Sequence, residues 1–106
     1  MYEYEAVIVR VVDGDTIVAD VSLGFGMWIH NETFRLSGIN APENSTVAGK
    51  EVSAYLKAIL PAGTKVVLQT KKDKKEKFGR FLAVVLLNGE DLNLRLLSEG
   101  KAVKYL

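Results

Sequence analysis

The chain has no cysteine, which removes disulfides and thiolate metal sites together. His30 is its single histidine, so neither a histidine metal triad nor a Ser-His-Asp relay can be built within one chain. Charge of either sign is not in excess: 14 Lys and Arg stand against 13 Asp and Glu, and a net charge near +1 gives no overall attraction for polyanions. Binding to such a polymer would have to come from local clustering of charge. No apolar run reaches the length that spans a bilayer, and no membrane partner is expected. The opening MYEYEAVIV has no basic n-region, long apolar h-region or small-residue cleavage site, so the chain as it stands reads as cytoplasmic, and as secreted if a signal peptide has been removed.

What is present, 106 residues with 48% hydrophobic and 25% charged, is the composition of an ordinary globule with a modest core, one domain over residues 1–106. Tyr4 to Val12 is a valine-rich, β-branched run that breaks at Asp13-Gly14, and Thr16 to Val21 resumes it, which predicts a hairpin about a D-G turn. Gly24-Phe25-Gly26 marks a second turn. Met27 to Leu36 follows as a third strand, with Trp28, Phe34 and Leu36 in phase on one face and Arg35 on the other. His30 shares the phase of Trp28, which predicts a strand residue partly covered by neighbours. Trp28 itself reads as core or barrel surface, and Tyr2 and Tyr4 as first-strand packing.

Val52, Leu56, Ile59 and Leu60 recur at helical spacing until Pro61 and Gly63. Two further strands, Lys65 to Thr70 and Arg80 to Leu87, flank the charged loop KKDKKEKFG. Leu92 to Glu99 is a short helix, capped by Asp91 or Asn93 and stopped at Gly100. The tail KAVKYL is too short to assign. The order βββ-α-ββ-α defines a mainly β (α+β) chain: a five-stranded OB-type barrel with two short helices, where closure removes exposed edges. A plain α+β meander is the alternative from pattern alone.

Three clusters carry candidate chemistry. In Asp13-Gly14-Asp15-Thr16 the plain reading is a tight turn, and the functional one is an oxygen ligand, Asp15, for a hard cation. Arg35 and Glu43, eight residues apart in TFRLSGINAPE, read either as a solvated strand end with a helix-capping glutamate or as one side of a phosphate-cleaving site. Lys77-Phe78-Gly79-Arg80 closes the lysine run. Arg80 differs from the rest because it opens a strand, and a strand residue is held rigidly enough for a fixed phosphate contact.

Taken in order, VDGDT, FRLSGINAPE, a helix, EKFGRFLA and a last helix containing L-N resemble the thermonuclease family, the staphylococcal-nuclease-like domains, from about Val7 to Ala102. The resemblance implies a five-stranded OB barrel. It implies that Arg35 and Arg80 bind and polarise a scissile phosphate, and that Glu43 is the general base for the attacking water. Asp15 would be a direct Ca²⁺ ligand, position 40 a second side-chain ligand, and Ala41 a carbonyl donor. Lys77 and Phe78 match positions beside a bound nucleotide, and Tyr105 would supply a stacking platform.

The sequence departs from that pattern at Asn40, where the family has an aspartate. An amide oxygen still ligates Ca²⁺ but brings no charge, which weakens such a site by roughly ten- to a thousand-fold. Ala41 replaces a threonine, which matters less for a main-chain contact. The short C-terminus removes apolar cover and predicts lower stability or a need to oligomerise. The leading expectation is a metal-assisted phosphodiesterase acting on DNA, RNA or both without sequence preference, since the implied contacts are to phosphate. The alternative is an OB-fold module that binds nucleic acid or a protein partner and has lost turnover through Asn40; a structural domain of a larger assembly is the third.

Overall fold

The computed structural model describes residues 2–70 and 79–105. In chain order the elements are β1 (Tyr2–Asp13), β2 (Thr16–Gly24), β3 (Met27–Leu36), β4 (Ile39–Asn40), α1 (Val47–Ile59), β5 (Lys65–Thr70), β6 (Phe81–Leu87), β7 (Glu90–Asp91), α2 (Leu92–Ser98) and β8 (Val103–Lys104). The main sheet runs β3-β2-β1-β5-β6-β7, and a parallel pairing of β3 with β6 joins its ends. Strands β1, β2, β3, β5 and β6 therefore close into a mixed five-stranded barrel of the OB type, with the two helices as expected. The meander alternative fails on that closing pair. Three two-residue strands, β4, β7 and β8, were not visible in the sequence pattern. β6 starts at Phe81, so Arg80 lies just before the strand rather than opening it.

β1 pairs with both β2 and β5, and two register irregularities, between Ile8 and Arg10 and between Val11 and Asp13, let it bend around the barrel. Its inward side chains, with Ile17, Leu36, Leu68 and Val85, fill the interior, and Leu56, Leu60, Leu92 and Leu96 from the helical side complete the core. α1 begins at Thr46, whose hydroxyl accepts the Gly49 N–H at 2.9 Å. It buries Gly49, Val52, Ser53 and Leu56, one helical stripe. In α2 the cap is Asp91, accepting the Leu94 N–H at 2.9 Å.

Asn93 is instead buried inside α2. Its Oδ1 accepts the Val85 N–H at 3.1 Å, and its Nδ2 donates to the Ser37 and Ala83 carbonyls at 2.8 and 3.1 Å. One side chain thus pins α2 to the β3–β6 seam, next to Arg35.

Beyond its bulge β3 departs from the expected phase. Between the pairs Ala19–Glu32 and Val21–Ile29 it contains one extra residue, and Asn31 there adopts a positive φ of 56°. The bulge shifts Trp28 and His30 out of phase with Phe34. His30 is consequently 67% exposed, not covered, and stacks on Trp28, which lies on the barrel surface. Tyr2 is also exposed, while Tyr4 packs against the core as expected.

Candidate functional site

Arg35 sits where the barrel closes. It pairs with Thr16 of β2 on one side and Leu82 of β6 on the other, so its backbone is fixed twice. Its side chain is only 11% exposed, and Nη2 donates to Asn40 Oδ1 at 2.8 Å with Asp15 Oδ2 at 3.7 Å. The guanidinium carbon lies 4.6 Å from the centroid of the Tyr105 ring, within cation–π range. Tyr105 is brought there by the small β4–β8 sheet, which pairs Asn40 with Val103, and by its own N–H donating to Gly38 O at 2.9 Å.

Asp15 occupies the β1–β2 turn and ties it to the segment after β4. Its Oδ1 accepts the Thr16 hydroxyl at 3.0 Å and its Oδ2 the Ala41 N–H at 3.0 Å. The turn itself is closed by the Asp15 N–H donating to Asp13 Oδ1 at 3.1 Å. Gly14 is outside the left-handed region that a D-G hairpin turn commonly uses. Glycine is required there for space: a Cβ would meet Val52 Cγ1 at 2.6 Å and Ala41 Cβ at 2.8 Å.

Glu43 belongs to the exposed loop between β4 and α1. Its carbonyl accepts the Thr46 N–H at 3.0 Å and the Thr46 hydroxyl at 2.7 Å. Gly49 lies directly beneath, where an added Cβ would fall 1.8 Å from that carbonyl oxygen. The first turn of α1 can approach the Glu43 loop this closely only because residue 49 has no side chain.

These segments meet around one open pocket of about 530 Å³, lined by Asp15, Arg35, Asn40, Ala41, Glu43 and Arg80, with Tyr105 and Leu82 in its wall. Seven candidates from four distant stretches of sequence are thereby brought together. Lys77 and Phe78 lie outside the described residues. The structure adds Asp13, which the sequence reading treated only as part of a turn; the doubled aspartate of VDGDT was the signal available for it.

The two aspartates differ electrostatically. Burial, with a hydrogen bond to Asp15 and the repulsion of its charge, raises the Asp13 carboxyl above its ordinary value. Burial also pushes Asp15 upward, but its hydrogen bonds to Asp13, the Ala41 N–H and Thr16, with the positive charge of Arg35, outweigh it and hold Asp15 low. Among the described residues no trio of His, Cys, Asp or Glu is gathered for a metal ion. The donors that do line the pocket, the Asp13 and Asp15 carboxylates, the Asn40 amide and the Ala41 main chain, are all hard oxygens and suit a cation such as Ca²⁺.

The sequence of residues 33–106 matches the family described as staphylococcal nuclease homologue. The chain is 34% identical over 110 residues to the endonuclease YhcR of Bacillus subtilis (strain 168), an alignment spanning 97% of this chain and 9% of that protein. It is 37% identical over 101 residues to the thermonuclease of Staphylococcus hyicus, covering 90% of the chain and 56% of the relative. With the thermonuclease of Staphylococcus intermedius it shares 37% over 99 residues, covering 88% and 55%. The chain thus spans little more than half of the two thermonucleases and about a tenth of the Bacillus protein. Barrel, residue order and sequence agree: the chain belongs to the staphylococcal nuclease homologue family.

Proposed function

We propose that this chain is a nuclease, hydrolysing phosphodiester bonds of DNA, RNA or both with little sequence preference. The observation that carries the proposal is the convergence of Arg35, Arg80 and Glu43 with two aspartates on one pocket. Names of the relatives, endonuclease and thermonuclease, support the same reaction class.

Attack of water on a phosphodiester builds negative charge on the non-bridging oxygens. Arg35 and Arg80 answer it with planar donor forks that match phosphate oxygens pairwise. Arg35 is preorganised for this, because Asn40, Asp15 and the Tyr105 ring fix its guanidinium before substrate arrives. Glu43, exposed on the pocket rim, takes the proton of the water as it attacks, a role typically contributing about 10²–10⁴ in rate. Asp13, Asp15, Asn40 and Ala41 would hold a Ca²⁺ ion, with Asn40 leaving the site one charge short of the family pattern. A cation held there would supply further positive charge to the site.

The Arg35–Asn40 hydrogen bond favours a second reading, in which the amide oxygen is committed to the arginine and the chain binds nucleic acid without cutting it. Cleavage of single-stranded DNA and of RNA, followed for the wild type and for Glu43→Gln, separates the two. A nuclease cuts and loses about two orders of magnitude or more in Glu43→Gln; binding without cleavage in the wild type establishes the module.

A further inference from the structure

The barrel carries an apolar arm far from the pocket. β2 pairs with β1 only as far as Val21, so Ser22 to Gly24 and their β3 partners Trp28 and Met27 form a two-stranded ribbon at the end of the barrel, with Trp28 still lining a groove against Glu5, Lys65 and Leu86. Leu23, Phe25, Met27, Trp28 and Ile29 are all exposed on it, Phe25 completely, at the tip. On the scale of about 150–250 Å² for a large side chain, they present roughly 500 Å² of apolar surface, as much as the largest patch of a typical monomer. An isolated two-stranded ribbon is marginal in water, so this arm gains from being covered.

Its chemistry restricts what covers it. The ribbon carries no Lys or Arg from Val11 to Phe34, and Lys65, which lines a groove with Trp28, is offset there by Glu5, so no basic patch faces nucleic acid or anionic lipid. β3 meets β6 only at Phe34 to Leu36, so the outer backbone edge at Met27 to His30 has no strand beside it among the described residues. Lipid cannot satisfy the N–H and C=O groups of such an edge, whereas another strand can. The edge also lacks the charged gatekeepers that discourage strand pairing.

We propose that the arm is a homodimer interface, in which β3 of one copy pairs antiparallel with β3 of a second. A two-fold axis at Ile29 sets Trp28 opposite His30, Met27 opposite Asn31 and Glu32 opposite Gly26. No like charges face each other, and the Trp28–His30 ring stacking already present within one chain, with centroids 6.5 Å apart, extends across the axis. Covered in full, two such patches amount to roughly 1,000 Å², the lower bound of a specific interface. The pairing is isologous and uses the β3 edge of each copy once, which closes it at two copies rather than letting it run on as a fibre. The pocket lies at the opposite end of β2, roughly 17 Å from the axis along the strand, and stays open to substrate.

Trp28 is the only tryptophan, so its emission reports this surface directly. The full chain is followed by sedimentation velocity and by Trp28 fluorescence from low micromolar to near millimolar concentration. Conversion to a dimer with a parallel blue shift is expected, and Ile29→Lys, a charge on the edge, weakens it by about tenfold or more. Phe25→Ser at the fully exposed tip is the second variant, and its weakened association decides the matter if Ile29→Lys does not fold. A monomer with water-exposed emission at every concentration overturns the proposal. So does association indifferent to both variants, or a blue shift that appears only when phosphatidylcholine vesicles are added, which makes the arm a membrane contact.

Discussion

The Arg35 guanidinium donates to the Asn40 amide oxygen at 2.8 Å while the Asp15 carboxylate stands 3.7 Å from the same nitrogen. The arginine proposed to bind phosphate and the proposed cation ligands are therefore one connected unit. Lysine at position 35 keeps the charge but loses the planar fork that serves Asn40 and lies against Tyr105. Arg35→Lys is expected to lower kcat by about a hundred- to a thousand-fold with a smaller change in KM, read from steady-state cleavage. An unchanged kcat shows that only charge is needed there.

Gly49 makes an opposite pair of demands visible in a single substitution. Helix propensity alone predicts that Gly49→Ala stabilises α1 by about 1 kcal/mol. The contact beneath Glu43, 1.8 Å from a built Cβ to its carbonyl oxygen, predicts displacement of the Glu43 loop instead. Cleavage is expected to fall by about a hundred-fold, the range of a lost general base, with a lowered melting temperature. A more stable and fully active Gly49→Ala contradicts the close approach.

Asn93 and Ser53 test the core in opposite directions. Asn93→Ala leaves the Val85 N–H and two carbonyls without their partner, and a loss of about 2–4 kcal/mol in chemical denaturation is expected. The Ser53 hydroxyl is buried without a hydrogen-bond partner in α1. Ser53→Ala removes it and improves helix propensity, so a gain of about 1 kcal/mol is expected in the same measurement.

The two aspartates set a pH dependence, best measured in chelator. Asp13 is raised above 3.8 by burial and by its hydrogen bond to Asp15, so the fold prefers it protonated, and stability is lost as pH rises through the folded-state value. Burial opposes the lowering of Asp15, but its partners win. Its contribution is therefore present above 3.8 and is lost as pH falls through its lower folded-state value. Asp13→Asn is expected to raise the melting temperature at neutral pH, with the difference fading below 3.8, where both forms are neutral. Asp15→Asn is expected to lower it at neutral pH.

Much of this architecture was legible because local signals and tertiary demands agree. Met27–Leu36 and Lys65–Thr70 have the boundaries that alternation and turn residues predict. β4, β7 and β8 were not legible, since two-residue strands carry no periodicity and exist through their partners. The exposure of His30 was hidden for a related reason: the Asn31 bulge inserts one residue, and a period-2 pattern cannot show where it slips. At the pocket, Asp15, Arg35, Asn40, Ala41, Glu43 and Arg80 were singled out from motif order and Tyr105 as an aromatic platform beyond the motifs, and the fold gathers them. Asp13 was missed because Asp-Gly is first of all a turn, and Gly49 because nothing in its sequence neighbourhood reveals the Glu43 carbonyl above it.

The most direct test of a nuclease limited by its cation site is cleavage of single-stranded DNA across a Ca²⁺ titration, from micromolar to tens of millimolar, in the wild type and in Asn40→Asp. The account predicts cleavage in both, with the half-saturating Ca²⁺ of Asn40→Asp lower by roughly ten- to a thousand-fold. Absence of cleavage in both proteins at every Ca²⁺ concentration would contradict it.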